Sequence, residues 1–139
     1  MLANSEVHDT GEVRMFGWKF KRGTMRAVLL TSTRAIKFPA FGSYRAFLEG
    51  LRANLEEQDQ WCLLRHEKMC PVLWWLPLGF GVVMPRVRPL TEAEFHDFDY
   101  VGFADLGNSF SLAVECKADS FGVLDGKIVA VDYGGGWGA

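Results

Sequence analysis

Between Met69 and Pro85 the chain runs through seventeen residues, MCPVLWWLPLGFGVVMP, without one charged side chain. A stretch this apolar has to leave water, and its length would serve a membrane-spanning helix. Its composition denies that route. Pro71, Pro77 and Pro85 lack a backbone donor, Gly79 and Gly81 weaken a helix, and Arg86 and Arg88 close the run. Two β-strands joined near Leu78-Gly79 accommodate the same residues. On a strand the neighbours Trp74 and Trp75 face opposite sides. One is therefore expected in the core, and the other under a helix or on a sticky surface. With 139 residues, the chain has room for one domain around that core.

The flanking segments extend the pattern. EVRMFGWKFKR, from Glu12 to Arg22, alternates imperfectly and reads as a strand, with Gly23-Thr24 as a turn. MRAVLLTST and RAIKFP read as two more strands, ending at Pro39. Ser43 is placed to cap a helix, in which Tyr44, Phe47, Leu48, Leu51 and Leu55 make one stripe at helical period. That stripe is expected to pack in the core, and the helix to reach about Gln60 or to continue through WCLLRHE. Gly50 costs such a helix roughly 1 kcal/mol relative to Ala, which implies a close approach there. Thr91 and Glu94 have the spacing of a capping box and begin a short helix. Asp125-Gly126 is a two-residue hairpin turn. Residues 1–10 and the tail 135–139 read as flexible ends. Three strands, a helix, two strands, a short helix and a last group of strands predict an α+β fold, an antiparallel sheet packed by one main helix.

The net charge of −2 hides an uneven distribution. Val13 to Leu48 holds eight Lys/Arg and no acid, whereas Pro89 to Ala139 holds nine acids against Lys117 and Lys127. The two ends either steer a charged partner or lie together and neutralise each other. Cys62, Cys70 and Cys116 form no C-x-x-C pair and read as small buried hydrophobes in a reducing compartment. The scattered His8, His66 and His96 offer no zinc pattern. The N-terminal MLANSEVHDTGEV has neither the basic region nor the apolar stretch of a signal peptide, so a cytoplasmic protein is expected. MFGWKFKR interleaves bases with aromatics, a composition that suits single-stranded nucleic acid or simply an amphipathic strand.

Several segments, in order, resemble a protein-kinase domain. RAIKF is similar to the V-A-I-K of the third kinase strand, which implies that Lys37 holds nucleotide phosphates. The helix after it then implies Glu49 or Glu56 as the acid that pairs with this lysine. LLRHEKMCPVLWW resembles the passage into the fourth strand. GFGVVMPRVRPL resembles the fifth strand and hinge, which puts Val83 and Met84 near an adenine pocket. AVECKADSFGVLDGKIVAVDYG resembles the catalytic loop and the hairpin that ends in D-F-G. On that likeness Asp132 binds magnesium, Ser120 stands at the metal-binding asparagine and Glu115 at the catalytic base. The likeness implies a kinase small lobe with a rudimentary large lobe over residues 1–139.

The departures are chemical. Ala113 and Val114 replace the expected His and Arg, Glu115 is one methylene longer than aspartate, and the Ser120 hydroxyl is a poorer magnesium ligand than an amide. GTMRAV is no glycine-rich loop, and only GGWGA follows Gly134. Phosphoryl transfer depends on positioning and charge neutralisation, so these losses strike the mechanism itself. The expectation is a non-catalytic, pseudokinase-type inhibitor or adaptor that binds another protein, for instance in phage–host conflict, with no cofactor and no membrane. Trp18, Trp75 and Trp137 are candidate anchors for that partner. Two alternatives stay open: a reduced nucleotide-binding protein or phosphotransferase using Lys37 and Asp132 with Mg-ATP, and a small α+β adaptor unrelated to kinases.

Overall fold

The computed structural model describes residues 6–7, 12–15, 18–22 and 25–133. It opens with β1 (Glu6–Val7), β2 (Glu12–Met15) and β3 (Trp18–Arg22). The single strand expected from Glu12 to Arg22 is instead a hairpin, with Met15 opposite Trp18. The break in alternation marks the reversal. Apart from β1, the ends expected to be flexible lie outside the described residues.

β4 (Arg26–Leu30) and β5 (Arg34–Pro39) follow, joined by a turn in which the Thr31 N–H donates to the Arg34 carbonyl at 2.8 Å. The main helix, α1 (Tyr44–Leu64), starts where the Ser43 hydroxyl accepts from the Ala46 N–H at 3.1 Å. It stops at Arg65, whose left-handed backbone (φ 43°) sends its N–H back to the Trp61 carbonyl. The uncharged run becomes β6 (Trp74–Leu76), a 3-10 turn over Pro77–Gly79, and β7 (Gly81–Pro85). Then come β8 (Arg88–Pro89), α2 (Glu92–His96), α3 (Tyr100–Ala104), β9 (Asp105–Gly107) and β10 (Phe110–Ser111). The last hairpin is β11 (Phe121–Leu124) and β12 (Lys127–Ala130). Its turn residues Asp125 (φ 51°) and Gly126 (φ 80°) both take the left-handed conformation that a two-residue hairpin loop demands. The capping box forms as expected, with Thr91 and Glu94 each holding the other's backbone N–H at 3.1 Å.

The fold is α+β. A seven-stranded antiparallel sheet runs in the order β1-β2-β3-β4-β5-β7-β6, beside a three-stranded sheet β12-β11-β8 and the small pair β10-β9. The uncharged run thus supplies an inner strand and the edge. The last hairpin is stitched to the segment between α1 and β6, since the Ala130 N–H donates to the Lys68 carbonyl and the Cys70 N–H to the Ala130 carbonyl, both at 2.8 Å. A continuous core joins Val82 and Met84 of the large sheet to Met69, Cys70, Phe121 and Tyr133. Around Phe121 the rings of Phe95, Phe98, Tyr100 and Phe103 pack within 4.8–6.3 Å between centroids. Among the described residues, no helix is long and apolar enough to cross a membrane.

The main helix overturns one expectation. Its buried side carries Gly50, Asn54 and Glu57, and the apolar stripe is not the core face: Tyr44 is 78 % exposed, Leu48 and Leu55 are exposed as well, and Phe47 and Leu51 are only half-buried. Gly50 explains how closely the helix lies on the sheet. A Cβ there would stand 2.3 Å from the Met25 carbonyl oxygen and 2.7 Å from the Pro39 Cα. The close approach expected at Gly50 is present, and the polar face next to it is what the sheet below requires.

Candidate functional site

The site begins on two strands. Arg26 of β4 lies opposite Pro39 of β5, and Val28 lies opposite Lys37. Opposed residues share a face, and so do residues two apart on one strand. Arg26 and Lys37 therefore project from the same face, the one α1 covers. Two long cations under a helix need a counter-charge and hydrogen-bond acceptors on that helix; Glu57 provides the charge and Asn54, one turn before it, a further acceptor.

Glu57 is fully buried and uses both oxygens. Its Oε1 accepts from the Lys37 Nζ at 2.6 Å, and its Oε2 accepts from the Arg26 guanidinium. The Asn54 amide, also fully buried, donates to the Lys37 carbonyl at 3.2 Å and the Gly79 carbonyl at 2.8 Å, while its oxygen accepts from Arg26 at 3.2 Å. Arg26 extends its other terminal nitrogen to the Asp132 Oδ1, and Lys37 donates to the Val131 carbonyl. β4, β5, α1 and the segment after β12 thus meet in one network. Two cations face two carboxylates, and the formal charge closes at zero.

Electrostatics follow from that packing. Burial would raise the Asp132 carboxyl, but Lys37, Arg26 and Lys117 outweigh it and hold the group below its ordinary value. Burial would lower the Arg26 guanidinium, yet Glu57 and Asp132 raise it. Nearby, burial pushes the Cys70 thiol up to about 12 and drives the Tyr133 phenol upward. Tyr133 donates its hydroxyl proton to the Cys70 carbonyl at 2.7 Å, which fixes the residue next to Asp132.

Lys37 and Asp132 are brought together, through Arg26 and Glu57. The acid on Lys37 is Glu57, not Glu49 or Glu56. Those two point elsewhere and pair along the helix with Arg45 at 3.4 Å and Arg52 at 2.9 Å. One helical position is about 100° of rotation, enough to move Glu56 off the inner face. Ser120 ends the turn before the last hairpin, its carbonyl accepting from the Val131 N–H at 2.9 Å. Its buried hydroxyl has no partner, alone among the buried side-chain polar atoms of the described residues. Glu115 is exposed and held by Lys117 at 2.9 Å, although the bridge between Val114 and Tyr133 brings its segment alongside Asp132. Met84 is 1 % exposed and belongs to the core, so its side chain lines no open adenine pocket.

Arg26, Asn54 and Glu57 are the residues that sequence reasoning passed over. Their signal was present: a basic residue opening an apolar strand, and Asn54 and Glu57 one turn apart, in phase with Gly50 and beside a more conspicuous apolar stripe.

The donor set does not fit a divalent metal or a nucleotide's magnesium. Asp132 would be the single carboxylate ligand, and its Oδ1 already receives the Arg26 guanidinium. A cation of charge two placed there would face Arg26 and Lys37 with no further anion to offset it.

The partner candidates divide differently. Trp74 and Trp75 are both surface residues, 54 % and 39 % exposed, because β6 is the edge of the sheet and short. Neither is the core residue expected of the pair. Leu76, Leu78 and Phe80 beyond them are exposed as well, and Phe80 packs against half-buried Phe47 (ring centroids 6.0 Å apart), which packs against exposed Phe41 (5.6 Å). Leu78, at the tip, is 72 % exposed and holds a left-handed backbone (φ 61°). Trp18 lies in β3, and Trp137 lies outside the described residues. Cys62 and Cys116 are exposed, and Cys70 alone is the buried thiol expected of all three.

Compared with known proteins, the chain matches no family model, no curated protein and no solved structure.

Proposed function

We propose that the protein is a non-catalytic, kinase-like binding protein of the cytoplasm, a pseudokinase-type inhibitor or adaptor that works by docking on another protein. The observation that carries this reading is the closed ionic network. A strand lysine paired with an acid on the following helix, beside an aspartate after a hairpin, is the arrangement a kinase uses to hold phosphates and magnesium. Here the added guanidinium of Arg26 consumes the aspartate. The remnant is charge-balanced and holds the fold together, and its groups are spent on one another.

The docking surface in this reading is the apolar strip from Trp74 to Phe41. Its sequence carries no charge between Met69 and Pro85 to protect the β6 edge, where natural sheets usually place one. A leucine held left-handed and exposed is strain retained at a contact point, since glycine would serve a mere turn better.

Leu78→Glu with Trp74→Glu tests the surface. Both positions are exposed, so the variant should melt with the parent. A partner retained from the native source by the parent and lost by this variant supports docking here; equal retention refutes it. Turnover of γ-labelled ATP that disappears in Lys37→Met would overturn the non-catalytic half of the proposal.

A further inference from the structure

We infer that Arg26 is the resident cation of this site: its guanidinium takes the position of a divalent metal at Asp132 and latches the last hairpin to α1 and the large sheet. The inference rests on the kinase-like reading of Lys37, Glu57 and Asp132, and it goes further by naming what replaced the metal.

The geometry carries it. Arg26 is fixed from three sides, by Glu57, Asp132 and the Asn54 oxygen. Its side chain is 14 % exposed and that of Glu57 is fully buried, so this pair is shielded from the water that weakens surface ion pairs; the Asp132 side chain is 40 % exposed, and its pair is the more screened of the two. Arg26 and Asp132 are 106 residues apart in sequence, and one planar group with several donors joins their elements. Lysine is one atom shorter, and as a point charge it lacks the fork that meets two carboxylates and an amide at once. The remaining cation, Lys37, is bound to Glu57 and to the Val131 carbonyl, so the residue before Asp132 is held from the strand side as well.

Two consequences follow. The network closes without an added ion, so the folded protein is indifferent to magnesium. Removing the Arg26 charge leaves Glu57 and Asp132 with Lys37, and with Lys117, whose own ion pair is to Glu115; the site is then net negative and gains a use for a cation.

The experiment is thermal unfolding in magnesium chloride without nucleotide, over a series up to tens of millimolar. The parent melts at the same temperature throughout. Arg26→Met keeps the apolar stem, melts lower in the absence of metal, and recovers part of the loss as magnesium rises. Arg26→Met with Asp132→Asn shows no recovery. A parent protein whose melting rises with magnesium, and loses that response in Asp132→Asn, overturns the inference. So does an Arg26→Met protein that melts like the parent and ignores magnesium. If Arg26→Met does not fold, Arg26→Lys replaces it: a folded Arg26→Lys with parental stability also counts against a guanidinium latch. Because no nucleotide and no partner is present, these outcomes leave the docking surface untouched. Failure of the surface variants would in turn leave Arg26 untouched.

Discussion

Glu57→Gln removes the anion shared by two strand cations while keeping the shape of the side chain, so the loss reads electrostatics and not a cavity. Glu57 is fully buried, and the side chains of Lys37 and Arg26 are 9 % and 14 % exposed. Breaking a pair buried this deeply costs about 3–5 kcal/mol, because the surviving cation is left without its counter-charge. Two features hold the figure to the lower end. Arg26 keeps Asp132, and Lys37 keeps the Val131 carbonyl. A loss of about 3 kcal/mol is a substantial part of the 5–15 kcal/mol that stabilises a typical domain. In urea, with a slope of about 2 kcal/mol per molar, the unfolding midpoint falls by about 1.5 M at unchanged slope. A cycle with Lys37→Met isolates the pair: the double variant should be less destabilised than the two single losses summed, by about 1 kcal/mol or more. A Glu57→Gln midpoint within about 0.3 M of the parent, or strict additivity in the cycle, would falsify the account of the site as a structural ionic network.

Other outcomes follow from the same structure. Gly50→Ala improves helix propensity by about 1 kcal/mol yet should destabilise the protein, since its Cβ has no room against Met25 and Pro39; a stabilised variant in urea would show that α1 is not so close. Leu78→Gly should stabilise by about 1 kcal/mol by relieving its left-handed backbone, while weakening partner binding; a destabilised variant would contradict the strain. The Asp132 carboxyl is held below its unfolded value of about 3.9, so its contribution is present above that pH and disappears as pH falls through the folded value. Acid unfolding of Asp132→Asn should therefore depend less on pH below about 4, and an unchanged acid limb would refute the coupling. A thiol reagent should label Cys62 and Cys116 in the folded protein and Cys70 only on unfolding; three equally fast thiols would be inconsistent with the core around Cys70.

How far the sequence reached depends on whether a feature is local. Ser43, the Thr91–Glu94 box and Asp125-Gly126 act within a few residues, through side-chain caps and left-handed turns that any context would favour. The uncharged run announced two strands because proline and glycine exclude a helix whatever surrounds them. These local signals, read in order, also yielded the α+β class.

The phase of α1 was not legible in the same way. Its apolar stripe and its series Gly50, Asn54 and Glu57 both fit a helix, and nothing within the helix says which faces inward. The choice belongs to the strands beneath, where Arg26 and Lys37 share a face and require an acid more than that face requires a leucine. Tertiary structure likewise decided that the acid is Glu57 rather than Glu49 or Glu56, and that Asp132 answers to Arg26. Sequence alone determined the elements, since short-range sterics and hydrogen bonding do not depend on distant partners. Only the fold decided the site, since its charges come from segments far apart in the chain and acquire their roles by being brought together.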